Sequence, residues 1–121
     1  MNFLKVKWDA KTMTATTNDG HAIKINKDLL GGKELPEEVI LGIRPEDIVL
    51  EEGKKENTFE ITASVAELLG HEYYIHADFG GADLVSKIPA NNIIASGDTL
   101  KVYFKGEKIH FFDPETEMAI I

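Results

Sequence analysis

Leu41-Gly42-Ile43-Arg44-Pro45-Glu46-Asp47-Ile48 is a short apolar strand that stops at an Arg-Pro pair and turns through two carboxylates. Val39, Leu41 and Ile43 alternate with Ile40, Gly42 and Arg44, which suits a strand buried on at least one face. Pro45 has no N–H and steers Arg44 away from the α conformation, so the strand ends there. Glu46 and Asp47 then follow as in a single helical turn with proline at its first position. The Glu46 carboxylate is placed to accept bonds from local backbone N–H groups or to pair with Arg44.

On the N-terminal side, Leu4, Val6 and Trp8 alternate with Lys5 and Lys7, and Met13 and Ala15 alternate with threonines. Asn18-Asp19-Gly20 predicts a tight turn into a third short strand holding Ile23 and Ile25. Residues 27–36 read as a loop with a half-turn of helix at Asp28-Leu29-Leu30. On the C-terminal side, residues 51–57 form a polar break, expected to be an exposed loop inside one domain. Phe59, Ile61, Ala63 and Val65 are expected on one face of a long strand. Tyr73, Ile75, Ala77 and Phe79 alternate with Tyr74, His76 and Asp78, and Gly80-Gly81-Ala82-Asp83 is a hairpin connection into Leu84–Ile88. A turn is expected over residues 91–94. Leu100, Val102 and Phe104 form a last long strand, and Gly106-Glu107 predicts a tight hairpin into Ile109–Phe112. Short alternating strands between glycine turns predict an all-β protein: a small barrel, or two, of antiparallel strands with one or two helical turns.

The 121 residues make one domain by length, with two half-barrels over roughly 1–52 and 57–121 as a further division. Ile43-Arg44-Pro45-Glu46-Asp47 and Phe112-Asp113-Pro114-Glu115-Thr116 echo one another, either as related halves or as two uses of a common strand exit. No cysteine is present, which excludes disulfides and thiolate metal sites. The formal charge of −8 argues against a polyanionic partner. A local basic face of Lys5 and Lys7 beside Trp8 is the one arrangement that would favour nucleic acid. No apolar run approaches the roughly 18 residues of a membrane span, and the N-terminus does not read as a secretory signal.

Chemistry-bearing motifs are few. The chain has no Gly-x-x-x-x-Gly-Lys-[Ser/Thr] phosphate loop, no Gly-x-Ser-x-Gly and no His-Glu-x-x-His. His76 and His110 fall at outward strand positions; facing one another across a sheet with Asp78, they would make a metal site, and otherwise they are surface histidines. Tyr74 and Tyr103 are the aromatic residues that the alternation places outward, as interface or stacking residues. Gly80-Gly81, Ser86 and Lys87 offer the backbone N–H, hydroxyl and cation that an oxyanion site requires.

Leu-Gly-Ile-Arg-Pro-Glu-Asp resembles the signature of the transport-associated oligonucleotide/oligosaccharide-binding (OB) domain of maltose- and multiple-sugar-type ABC transporter ATP-binding proteins. Met1-Asn2-Phe3-Leu4 resembles the point where that family's chain leaves its ATPase domain. Val65-Ala66-Glu67-Leu68-Leu69-Gly70 with Glu72 resembles the central strand and turn. Gly97-Asp98-Thr99-Leu100 and Ile109-His110-Phe111-Phe112-Asp113-Pro114-Glu115-Thr116 resemble the closing hairpin. These pieces stand in the family's order over nearly the whole chain.

The resemblance implies an OB-like fold and a non-catalytic accessory or regulatory domain, excised from the C-terminus of a longer ATPase. The ATP and Mg of the parent would then have no site in this chain, which is expected to carry no cofactor or metal of its own. Expected partners are a second copy of the ATP-binding subunit, the parent's ATPase domain, membrane permease subunits through that parent, and a regulatory protein. Nucleic acid is not among them. The parent would sit in the cytoplasm at the inner face of the membrane. Arg44, Glu46, Asp47, Tyr74 and Tyr103 are the expected contact residues. The alternative is a small-molecule-binding barrel for a sugar or for an oxyanion such as molybdate, which related transport-associated domains bind.

Overall fold

The computed structural model describes residues 1–51, 53 and 56–121. The polar break expected at 51–57 includes positions 52, 54 and 55, which lie outside the described residues. In chain order the strands are β1 (Asn2–Asp9), β2 (Thr14–Thr17), β3 (Ala22–Lys24), β4 (Glu38–Ile43), β5 (Ile48–Leu50), β6 (Thr58–Thr62), β7 (Val65–Leu69), β8 (Glu72–Phe79), β9 (Ala82–Pro89), β10 (Thr99–Phe104) and β11 (His110–Phe112). They form three antiparallel sheets, ordered β11-β4-β1-β2-β3, β5-β10-β6 and β7-β8-β9. The fold is all-β, as the alternation predicts. Helix is confined to α1 (Lys27–Leu30) and two 3-10 turns among the described residues.

The quoted stretch supplies β4, which runs between β1 and β11. Leu41 lies opposite Leu4 on one side and Phe111 on the other, so three apolar side chains share the buried face. Strict alternation on β1 sends Leu4, Val6 and Trp8 inward and Phe3, Lys5 and Lys7 outward. Trp8 therefore faces the core, on the opposite face from Lys5 and Lys7, so the expected arrangement of these lysines beside Trp8 does not form. Gly42 lies on the opposite face of β4, where Phe112 covers it. A Cβ there would meet the Phe112 ring at 2.6 Å and the Met1 sulfur at 2.7 Å. The core continues through Phe79 and Phe104, fully buried and 5.3 Å apart between ring centroids, with Phe59 edge-on to both.

Two local expectations are corrected by long-range pairing. Residues 59–65 are not one strand. Ala63 is a fully buried corner whose N–H donates to the Asp98 carbonyl at 2.8 Å and whose carbonyl accepts from the Gly97 N–H at 2.7 Å. The chain thereby leaves β10 and pairs with β8, and Val65 is exposed instead of sharing the face of Ile61. Likewise, Gly106–Lys108 is a 3-10 turn, not a tight hairpin. It carries the chain from β10 in the second sheet to β11 in the first, where β11 pairs with β4. The turn at Asn18–Gly20 and the half-turn at α1 form as expected. The latter is capped by the Asn26 side chain and closed by Gly31 in the left-handed conformation.

Three small sheets leave strand edges to satisfy. Two asparagines do this with side-chain amides, each acting as one residue of an extra strand. Asn2, buried at the start of β1, donates to the Val85 carbonyl and accepts from the Val85 N–H, both at 2.8 Å, on the free edge of β9. Asn57 does the same to Lys24 on the free edge of β3, at 2.8 and 2.9 Å. It adopts φ 58°, a left-handed conformation that asparagine tolerates better than most residues. Asn2→Ala should lower unfolding free energy by about 1–3 kcal/mol, the net worth of two hydrogen bonds to groups left without partners. Urea titration of the variant checks this.

Candidate functional site

The Arg-Pro exit is built as the sequence predicts. Arg44 is extended, Pro45–Asp47 is a 3-10 turn, and the Asp47 N–H donates to the Arg44 carbonyl at 2.9 Å. Arg44 and Glu46 are exposed, but no ion pair joins them among the described residues. Strand β9, which carries Lys87, packs against this turn. The Lys87 ammonium sits 3.3 Å from the Glu72 carboxylate and 6.0 Å from the centre of the Tyr74 ring. Hydrogen bonding and charge from Glu72 hold it above the usual lysine range, with smaller contributions from Tyr74 and Glu46. Lys87 lies opposite half-buried Tyr74 across the β8–β9 pair.

The other two expected contact residues are placed differently. Asp47 is buried, with 8% of its surface exposed, and its carbonyl accepts from the Lys105 N–H at 3.0 Å. It ties the turn to the end of β10. Tyr103 stands on β10 in the second sheet, away from the sheet that carries Tyr74. There it lines a cleft of about 600 Å³ with Lys24, Asp28, Leu29 and Glu107.

The groups proposed for an oxyanion do not converge. The Gly80 N–H is taken by the Asp19 carboxylate at 2.8 Å, and Ser86 is fully buried. Lys87, next along the strand, points to the opposite face and pairs with Glu72. The histidine pair also separates: His76 is in the third sheet, bonded to Asp83 at 2.9 Å, while His110 is in the first sheet opposite Gly42. Among the described residues, no three His, Asp or Glu side chains are grouped to hold a metal ion.

One polar cluster was not legible as such. Asp19 reads in the sequence as a turn residue only. In the fold its carboxylate accepts from the Thr17 hydroxyl, pairs with His21 Nδ1 at 2.7 Å, and accepts the Gly80 N–H from the β8–β9 hairpin. The His21 ring stacks on Phe79 at 4.1 Å. Burial raises the Asp19 carboxyl, but these bonds outweigh it and hold the group well below the usual carboxylate range. The only sequence signal is the Thr-x-Asp-x-His spacing; its partner is 61 residues away.

Comparison with known proteins adds a family to this geometry. A model of the TOBE domain matches residues 41–112, and a model of the MalK OB fold domain matches residues 1–48. The chain is 45% identical over 87 residues to the oligosaccharides import ATP-binding protein MsmX of Bacillus subtilis (strain 168), covering 69% of this chain and 24% of that one. It is 40% identical over 88 residues to the uncharacterized ABC transporter ATP-binding protein YcjV of Escherichia coli O6:K15:H31 (strain 536 / UPEC), covering 73% and 24%. It is 34% identical over 89 residues to the sn-glycerol-3-phosphate import ATP-binding protein UgpC of Cupriavidus necator (strain ATCC 17699), covering 74% and 24%. The chain spans about a quarter of the length of the curated relatives it matches.

Two stability measurements test these polar groups. Because the folded state lowers the Asp19 carboxyl, its stabilisation is present above the ordinary carboxylate value of about 3.9 and is lost as pH falls toward the lower folded value. Asp19→Asn should therefore cost about 1 kcal/mol at pH 6–7, a modest figure because water screens the half-exposed group, and the gap to wild type should close below about pH 4. Denaturant curves across that range give the gap directly. The buried Ser86 hydroxyl has no hydrogen-bond partner among the described residues. Ser86→Ala is accordingly expected to raise stability by about 1 kcal/mol, seen as a higher Tm.

Proposed function

Because this chain belongs to the TOBE domain family, matched over residues 41–112, we propose that it is a non-catalytic accessory domain of the ATP-binding subunit of a carbohydrate ABC importer. The observation that carries this reading is the match of both family models in succession along the chain, beside relatives named as ATP-binding proteins. The missing phosphate loop agrees with it: ATP would bind in another part of a longer subunit, toward whose C-terminus this domain lies. The assembly would be cytoplasmic and would reach the membrane through permease subunits. Among the described residues, no helix is long and apolar enough to cross a membrane.

In this reading the domain touches its copy in the paired ATP-binding subunits. A contact that persists while the ATPase halves open and close raises their effective concentration. A regulatory protein that prefers one arrangement shifts the balance by its differential affinity for the two states. Exposed Arg44 and Glu46 at the turn, with Tyr74 and Lys87 on the sheet whose strand β9 packs against it, supply the contact, and buried Asp47 holds the turn. Of the groups named for an oxyanion, the Gly80 N–H and the Lys87 ammonium are engaged and Ser86 is buried, which favours the accessory-domain reading.

The test uses the full-length subunit. Arg44→Glu combined with Glu46→Lys should weaken nucleotide-free dimerisation about tenfold or more in sedimentation experiments, with ATP binding unchanged. Dimerisation equal to wild type in a folded double variant would sink the assignment of this face. The 121-residue chain alone is expected to hydrolyse no ATP.

A further inference from the structure

The two outer strands of the third sheet differ. Along β9 the Asn2 amide meets Val85, whereas β7 simply ends the sheet. Gly70 and His71 make a two-residue turn that sets Leu69 opposite Glu72. The backbone groups of Val65, Glu67 and Leu69 therefore turn toward β8, and those of Ala66 and Leu68 turn to the open edge. There the Ser96 hydroxyl accepts the Ala66 N–H at a long 3.4 Å, a contact that an incoming carbonyl can replace. Val65, Leu68 and Leu69 are each about half exposed. Ile93, 95% exposed, stands on the loop that carries Ser96. That loop is anchored beside β7 at both ends, since the Ala90 N–H donates to the His71 carbonyl at 2.8 Å. These four are the majority of the seven large apolar side chains exposed among the described residues. Neither proline nor lysine, the usual guards of a strand edge, occurs on β7.

We propose that β7 accepts an extended segment of another protein as an added strand, apolar on both sides of a lysine or arginine that lies opposite Glu67. Three observations support the assignment. The open backbone groups of Ala66 and Leu68 supply the ladder bonds of strand addition. Val65 and Leu69 lie on the face of Tyr74, and Leu68 lies on the face of Tyr73, so an added strand buries apolar surface on both sides of the sheet. Glu67 stands between Val65 and Leu69 and has no ion-pair partner among the described residues, whereas Glu72 on the same face is held by Lys87 at 3.3 Å. A lone carboxylate between apolar neighbours is complemented by one cation between apolar neighbours. Charge disfavours a second copy. Two β7 strands in full antiparallel register set Glu67 directly opposite itself, between chains of formal charge −8 each. The inference stands on the β7 edge alone and is independent of the transporter reading, so either can fail without the other.

The test is a titration of the isotope-labelled chain with the peptide Ser-Val-Ile-Lys-Val-Val-Ser, and with its counterpart carrying Glu for Lys, read from backbone amide shifts. The Lys peptide should give saturating shifts at residues 64–70 with Kd of about 1 mM, and should slow hydrogen exchange at the Leu68 amide. The Glu peptide should bind about fivefold more weakly, and Glu67→Lys should reverse that preference. The preference should shrink between about 50 and 500 mM salt. Leu68→Pro removes the outward N–H at a place where an edge strand tolerates proline, and should lose about tenfold. The wild-type-like spectrum of each variant reports that it is folded; if Leu68→Pro is not, the reversal by Glu67→Lys decides. Absence of shifts at about 5 mM of the Lys peptide, equal affinity for both peptides, or folded Leu68→Pro binding as wild type would overturn the proposal. So would concentration-dependent protection of the Leu68 amide without peptide, which would assign the edge to a second copy.

Discussion

Two side-chain amides hold this molecule together where its sheets cannot. Each of the three sheets is small, and β3 and β9 would otherwise present unpaired backbone at the seams between sheets. Asn2 and Asn57 close those seams with paired donor and acceptor bonds to Val85 and Lys24. A primary amide carries an N–H donor and its C=O acceptor on the same side, so it can meet the C=O and N–H of one edge residue and add one rung to a ladder without adding a strand. Asp19 closes a further seam by taking the Gly80 N–H. With the edges joined, the inward faces of all three sheets fill one core around Phe79, Phe104 and Phe111.

This arrangement leaves most distinctive polar groups on structural duty. Asp19, Asn2, Asn57 and Asp47 each bond backbone from a distant segment through a side chain or carbonyl. The two Pro-Glu exits show the same economy by different means. At Arg44 the backbone alone closes the turn, whereas at Asp113 the carboxylate accepts from the N–H groups of Glu115 and Thr116. Those bonds hold the Asp113 carboxyl below its usual range. β4 and β11, which lead into these exits, are antiparallel neighbours.

Much of the fold was legible because alternation is local. Leu4-Val6-Trp8, Leu41-Ile43 and Val102-Phe104 point inward as their spacing requires, and Pro45 ends β4 as its ring requires. The misreadings share a cause. Phe59–Val65 keeps perfect alternation through a corner, because period two carries no information about which neighbour a strand pairs with. Gly106-Glu107 looks like a hairpin for the same reason, though its flanking strands belong to different sheets.

The candidate site divides along the same line. The sequence by itself determined the all-β class, the Arg-Pro turn, the absence of a phosphate loop and the family to which the ordered motifs belong. These follow from local sterics, side-chain alternation and residue identity. Only the tertiary structure decided that Glu46 makes no ion pair with Arg44 among the described residues, that Asp47 is buried, and that Tyr74 and Tyr103 stand in separate sheets. It alone brought Asp19 to Gly80 and Asn2 to Val85. Such pairings join residues 61 and 83 positions apart, and they form only when shared burial closes the intervening chain.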